Sequence, residues 1–263
     1  MPTVSFTETR GGGSYFYRVR SFDAGRSSAP SNVDSVMIGG GDNPTRIEHP
    51  KGFAKHNDLT ANGTTAFVDT VAQLTNGMTS PVRTSSFFSN SKVPIARFDT
   101  SFQFRITGTV GGDGMTFTIE GNSPREIGNQ KGALGYHGIR NSVAIKFDIN
   151  NNDGEGPNST GMFIDGHYPS IALPGSGDVL VDLTDTGVVL RGHVLRADIS
   201  YDGTALVVTI TDVESPELFA TQIYAVDLPA KVGGPLAYLG FTGASGQFSA
   251  AAIQVEAWTF QTR

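Results

Sequence analysis

A chain of 263 residues is long enough for one large β-domain with an appendage or for two ordinary domains, and a 38% hydrophobic content with 17 Phe can fill a sizeable core. A formal net charge of -6 argues against a nucleic-acid or anionic-membrane surface, the absence of Cys excludes disulfides, thiolate metal sites and thiol catalysis, and no apolar run reaches the roughly 20 residues a bilayer span needs. With 33 Gly and only 17% charged residues, the composition suits short strands joined by tight turns.

The opening Met1-Pro2-Thr3-Val4 lacks the basic and apolar regions of a signal peptide, which points to a piece cut from a longer exported protein. In residues 14–22, Tyr15, Tyr17, Val19 and Ser21 alternate with Phe16, Arg18, Arg20 and Phe22, the period of a strand. Residues 23–32 are rich in turn formers, and 33–38 supply the partner strand of a hairpin. The run Tyr15-Phe16-Tyr17-Arg18-Val19, a small polar loop and Ala29-Pro30-Ser31-Asn32 resemble the last two strands of a fibronectin type III domain. Residues 1–38 are therefore expected to be a remnant of such a domain. A hairpin this apolar is expected to pair with another sheet edge, in the same chain or in a neighbouring subunit through residues 14–38.

Gly39-Gly40-Gly41-Asp42-Asn43-Pro44 opens a linker, expected over 39–51. Across 52–263, short strand-like segments recur at 64–68, 72–74, 98–107, 115–120, 142–149, 179–183, 193–201, 205–212, 220–226, 237–242 and 253–262, with Gly, Asn, Asp or Pro between them. No segment keeps a helical period over ten or more residues. Strands without alternating helices predict a β-sandwich or jelly roll and not a βαβ fold.

Four blocks in order resemble the L-type, legume-type lectins. The first runs from Phe53 through Asn62-Gly63 and Leu74-Thr75-Asn76-Gly77 into Phe98-Asp99-Thr100-Ser101-Phe102-Gln103-Phe104. The second, Gly112-Asp113-Gly114-Met115-Thr116-Phe117, is similar to the family's Ala-Asp-Gly-Leu-x-Phe. The third is Gly132-Ala133-Leu134-Gly135 followed by Val143-Ala144-Ile145-Lys146-Phe147-Asp148, and the fourth is Leu239-Gly240-Phe241-Thr242-Gly243 through Trp258-Thr259-Phe260. The resemblance implies an all-β, concanavalin A-like jelly-roll sandwich that binds carbohydrate. Its sugar pocket is implied to use Asp113 as acceptor, Gly132 as backbone donor, Asn152 as carboxamide, and Ser245-Gly246-Gln247 as a fourth wall with Gln247 facing the sugar. Those types match the ligand: vicinal hydroxyls both donate and accept, so they call for a carboxylate, an amide and a backbone N–H. Taken singly, Asp113 also reads as a turn aspartate in Gly-Asp-Gly, Gly132 as a loop glycine and Gln247 as a solvated loop residue.

The family holds calcium beside a transition ion, and here the pattern breaks. Lys146 stands at a Glu position, and Gly161-Met162-Phe163-Ile164-Asp165 lacks the His expected before the Ile-Asp pair. An ammonium is no metal ligand, so a transition metal is not expected; instead Lys146 is expected beside Asp148, replacing the cation's charge. Calcium stays open: residues 148–158 are dense in oxygen donors, with Asp148, Asn150, Asn152, Asp153 and Glu155 as candidates, and the same loop also reads as Asx turns holding themselves. Asn150 sits where the family carries a sugar-stacking aromatic, which leaves Tyr136, His137 or Phe248 to substitute. The five His residues show no metal-ligand spacing, and Trp258 on an alternating strand reads as core. The Lys146-Phe147-Asp148 and Gly154-Glu155-Gly156 departures point to a bacterial member.

Some polysaccharide hydrolases and lyases share this sandwich, but they need paired carboxylates, and Glu120, Glu126, Glu155, Glu214, Glu217 and Glu256 are scattered. No enzyme is predicted. The function expected is a carbohydrate-binding module of a modular extracellular or cell-surface protein, with glycan as partner and neither nucleic acid nor membrane insertion. Two alternatives stand beside it: a structural, adhesive or filament-forming sandwich without a sugar site, and a polysaccharide-degrading enzyme.

Overall fold

The computed structural model describes residues 13–17, 22–23, 26–27, 34–38, 43–78, 83–108, 113–246 and 251–263. The chain divides into two compact units, Met1–Asn43 and Pro44–Arg263. In the first unit, β1 (Gly13–Tyr17) and β4 (Asp34–Ile38) form an antiparallel ladder with Tyr15 opposite Val36, and β2 (Phe22–Asp23) pairs with β3 (Arg26–Ser27). These are the two arms of the hairpin read from the sequence.

The second unit is all-β, two antiparallel sheets stacked as a sandwich. It begins earlier than the sequence reading placed it. β5 (Arg46–His49) lies within the expected linker yet pairs with β20 (Ala251–Thr262), because Ile47 is an apolar residue with a place in the core, where it is 3% exposed.

One sheet runs β18 (Phe219–Ala225), β17 (Ala205–Asp212), β16 (Val194–Tyr201), β11 (Phe98–Gly108), β20, β8 (Val71–Asn76) and β7 (Ala66–Val68). β11 alternates strictly: Phe98, Thr100, Phe102, Phe104 and Ile106 are buried while their neighbours reach solvent. The other sheet runs β15 (Val179–Asp182), β14 (Ser159–Ile164), β13 (Ser142–Asp148), β12 (Gly114–Glu120), β19 (Leu236–Ala244), β9 (Thr84–Ser89) and β6 (Leu59–Gly63), with β10 (Val93–Pro94) also on β19. Between the sheets, Phe87, Phe102, Phe117, Phe147, Phe241 and Trp258 interlock, with Phe102 and Phe241 ring centres 4.9 Å apart and Phe241 and Trp258 5.2 Å apart. Truncating one such ring to Ala costs about 3–5 kcal/mol, so this layer fixes the stacking of the sheets. The Trp258 indole donates to Thr100 Oγ1 at 3.0 Å, which satisfies its polar edge inside the core.

β12, β13 and β14 are buried on both faces. The outer face is covered by segments 121–141 and 165–178, whose Tyr136 and Ile139 pack with Ala144 and Phe163 in a second small core. The Tyr136 hydroxyl donates to the Phe163 carbonyl and receives hydrogen bonds from Ser142 Oγ and the Gly166 N–H, each at 3.0 Å.

Candidate functional site

Register brings three chain segments to one end of this double-covered sheet. Gly114 pairs with Asp148, Met115 with Gly243, and Asp148 with Ser159. Asp113, at the crossover into β12, therefore lies beside the start of the 149–158 loop. Gly132 begins from the opposite end, because β12 hands over to segment 121–141 where Glu120 faces Ser142. That segment returns across the outer face, tied down by Thr242 Oγ1 donating to the Leu134 carbonyl at 2.8 Å and Gly128 N–H to the Gly135 carbonyl at 2.7 Å. Gly132 thus reaches the site end inside a 3-10 turn at Lys131–Ala133. Lys131 and Leu134 flank it at φ 62° and 56°, a left-handed conformation that costs non-glycine residues about 1–3 kcal/mol each.

The carboxylates come next. Asp113 is 2% exposed; among the described residues its Oδ1 receives only a long 3.5 Å contact from Asn150 Nδ2, and its buried Oδ2 has no partner. Burial, then the neighbouring Asp148 charge, push its pKa up to about 7. Asn150 Nδ2 also donates to Asn152 Oδ1 at 2.9 Å, so Asp113, Asn150 and Asn152 form one chain of contacts. Asn152 in turn meets Gly132: a Cβ placed on Gly132 would fall 2.6 Å from Asn152 Cγ and 2.7 Å from the Tyr168 hydroxyl. Asp113, Asn150, Asn152 and Gly132 thus form one contiguous cluster, exposed on the Asn152 side, with the Tyr168 hydroxyl lying over Gly132.

Tyr168 went unnoticed in the sequence. It sits in segment 165–178, which leaves β14 at the far end of the sheet, where Ile164 faces Val143, and folds back to the site. No motif announces it; only the path of the covering segment places it there. It is half-buried, and its hydroxyl pKa is raised by burial and by the charges of Asp153, Asp113, Glu155 and Asp148. Of the aromatics proposed to replace the missing stacking residue, Tyr136 is fully buried in the covering layer and points away from solvent. His137 is half-buried, packs edge-on against Tyr168 at 5.5 Å and shares a 3.0 Å contact with Asn129 Nδ2. Phe248 and Gln247 lie outside the described residues. Ser245, before them, is buried and exchanges hydrogen bonds with the Arg83 backbone.

The cation candidates are divided. Lys146 is fully buried with Nζ 3.3 Å from Asp148 Oδ2 and 3.9 Å from Glu155 Oε1. Burial pushes Asp148 up and Lys146 holds it down, with a net value of about 6. Glu155 is pushed up by burial too, but the Asp153 N–H donating at 2.7 Å is among the bonds that bring it below its ordinary value. Asp153 is exposed, and the side chains of Asn150 and Asn152 are bonded to each other. Among the described residues, no group of three or more His, Asp or Glu is arranged to hold a metal ion. A divalent cation among Asp148, Asn152 and Glu155 would face the Lys146 ammonium at close range, so this donor set as folded does not fit calcium.

A broad recess of about 590 Å³ lies on the open face of the other sheet, along Arg46, Asp99, Ser101, Asp198 and Thr259. Its acids are already paired, Asp198 with Ser101 at 2.6 Å and Arg196 at 2.8 Å, and Asp99 with Arg263. The loop cluster differs in holding a buried carboxylate oxygen, Asp113 Oδ2, with no partner among the described residues.

Comparison with known proteins agrees with this fold. The family profile described as "Legume lectin domain" matches residues 50–263. Lectin II from Ulex europaeus is similar over 83% of this chain and 98% of its own, with a TM-score of 0.69 and 18% identity. The lectin from Bauhinia forficata in complex with GalNAc covers 83% of this chain and 97% of its own (TM-score 0.67, 20% identity). Winged bean acidic lectin complexed with methyl-alpha-D-galactose covers 82% and 96% (TM-score 0.66, 19% identity). No helix among the described residues is long and apolar enough to cross a membrane.

Proposed function

Because this chain belongs to the legume lectin family, we propose that the surface where Asp113, Gly132, Asn152 and Tyr168 come together is the glycan site of a carbohydrate-binding module. The domain is a lectin-type binder and not an enzyme. The observation that carries the site assignment is the Asp113 carboxylate, 2% exposed, with Oδ2 unpartnered among the described residues and Oδ1 in contact with the 149–158 loop. A buried acceptor without a donor is costly, and a sugar hydroxyl is a donor of the right size. Asn152 adds a carboxamide, the Gly132 backbone allows close approach, and Tyr168 offers an aromatic face with a hydroxyl at its tip.

GalNAc and methyl-alpha-D-galactose are bound by the Bauhinia forficata and winged bean lectins, so galactose-type hexoses are the first ligands to try here. Calcium, through Asp148, Asn150, Asn152, Asp153 and Glu155, would have to displace Lys146 from two carboxylates, so the reading does not depend on it. Gln247 is proposed as a fourth wall. The antiparallel β1–β4 ladder supports reading residues 1–38 as the end of a fibronectin type III-like domain, able to pair with a neighbouring subunit, in an extracellular or surface protein of bacterial type.

A glycan array with wild type and Asp113→Asn tests the reading. Retention of a restricted set of galactose-type glycans, reduced at least about tenfold in the variant, is the expected result, since one charge-assisted hydrogen bond contributes about 1.5–3 kcal/mol. Uniform silence of the wild type across the array would leave a structural sandwich instead.

A further inference from the structure

We propose that Lys146 is a built-in counter-ion whose ammonium, in place of a bound metal, holds Asp148 and Glu155 and through them the loop that carries Asn152. The claim about the loop stands on geometry alone; its extension, that glycan binding needs no divalent metal, rests on the site assignment above.

Alternation along β13 sends Val143, Ile145 and Phe147 into the main core and Ala144 to the covered outer face, so Lys146 also points outward under segments 121–141 and 165–178. Its side chain is 0% exposed. An unpaired ammonium there would be strongly unfavourable, and three neighbours answer it: Asp148 Oδ2 at 3.3 Å, Glu155 Oε1 at 3.9 Å and the Phe163 ring face at 5.7 Å. Each carboxylate then turns its other oxygen to the loop backbone. Asp148 Oδ1 accepts from the Asn150 N–H at 3.0 Å, and Glu155 Oε2 from the Asp153 N–H at 2.7 Å. Both ends of the turn that presents Asn152 are thus fastened to acids gathered around one ammonium.

Without that charge, Asp148 and Glu155 would repel each other across a dry space, the situation a metal relieves elsewhere by lending two positive charges and collecting lone pairs. The Lys146 ammonium supplies one positive charge and three donors but no lone pair, so it satisfies the acids and excludes a cation from the same point. Among the described residues the Lys146 ammonium pairs with Asp148 and Glu155 and not with Asp113, so it acts through those acids and is a positioning residue.

The test uses the full chain, wild type, Lys146→Met and Lys146→Glu, stripped with EDTA and then given millimolar calcium or manganese. Melting temperature and metal content by mass spectrometry are read in each state, with retention on galactose-bearing beads as a separate arm. The wild type is expected to melt at the same temperature with EDTA, calcium or manganese and to carry no stoichiometric metal. Lys146→Met should melt on the order of 10 °C lower, because it strands two buried acids. Lys146→Glu, with an acid in place of the ammonium, should gain a melting temperature that rises with added metal. Stoichiometric calcium or manganese in the wild type, a metal-induced rise in its melting temperature, or a Lys146→Glu protein indifferent to metal would each overturn the proposal. Should Lys146→Met fail to fold, the wild-type and Lys146→Glu arms still decide. Loss of bead retention with the melting results intact would count against the glycan site and leave the counter-ion standing.

Discussion

The two sheets of the sandwich share a core but treat their outer faces differently. β11, β16, β17 and β20 alternate buried with solvent-facing residues, so their outward Thr, Ser and Arg side chains are met by water and by one another. On β12, β13 and β14 both faces are dry, and the outward side chains, Thr116, Thr118, Glu120, Ser142, Lys146 and Asp148 among them, must find partners inside the protein. The lesson is that the open sheet is a scaffold whose polar face tolerates change. The covered sheet is a polar network in which each unmet group is either costly or functional.

Single deletions should separate the two faces. Tyr136→Phe removes the hydroxyl that serves Phe163, Ser142 and Gly166 and should cost about 1–3 kcal/mol in urea unfolding followed by Trp258 fluorescence, whereas Thr209→Ala, whose hydroxyl meets Thr221 at 3.0 Å on the open face, should stay within about 0.5 kcal/mol. Equal costs would erase the distinction between the faces.

A smaller effect sharpens the contrast within the covered sheet. Glu120, at the far end of β12 from Asp113, is also buried and also raised to about 7, burial being the first cause. Its Oε2 accepts from the Asn122 and Ser123 N–H groups at 2.6 and 3.1 Å, closing a local turn, while its Oε1, like Asp113 Oδ2, has no partner among the described residues. Because the folded pKa lies above the ordinary 4.5, the native state holds this proton more tightly than the unfolded chain. The stability it contributes is full below pH 4.5 and drains away as pH rises to about 7. Glu120→Gln should therefore gain on the wild type progressively across that window in denaturant melts. A difference that stays constant with pH would show that Glu120 does not titrate there.

Much of the scaffold was legible in the sequence, and the reason is periodicity. The alternating strands of the open sheet announce themselves because water lies on one side and Phe on the other. β9 (Thr-Ser-Ser-Phe-Phe-Ser) and β14 (Ser-Thr-Gly-Met-Phe-Ile) went unread because burial on both faces removes the alternation, and β5 was hidden inside a glycine-led linker. At the proposed site, Asp113, Gly132 and Asn152 are pointed to by ordered motifs and Lys146 by its departure from one, and the fold brings Asp113 and Gly132 into contact with the 149–158 loop. No motif points to Tyr168, since its place depends on how a covering segment returns across a sheet, a relation between residues far apart in the chain.

The most direct test of the site is Gly132→Ala. Gly132 is buried, and a methyl group there would fall 2.6 Å from Asn152 Cγ and 2.7 Å from the Tyr168 hydroxyl, so the carboxamide and the aromatic proposed to meet the sugar would have to move aside. Calorimetric titration with the best glycan from the array should show at least about a tenfold loss of affinity in this variant while its melting temperature stays close to that of the wild type. An unchanged affinity in a folded Gly132→Ala protein would contradict the account, because the sugar would then be bound somewhere else.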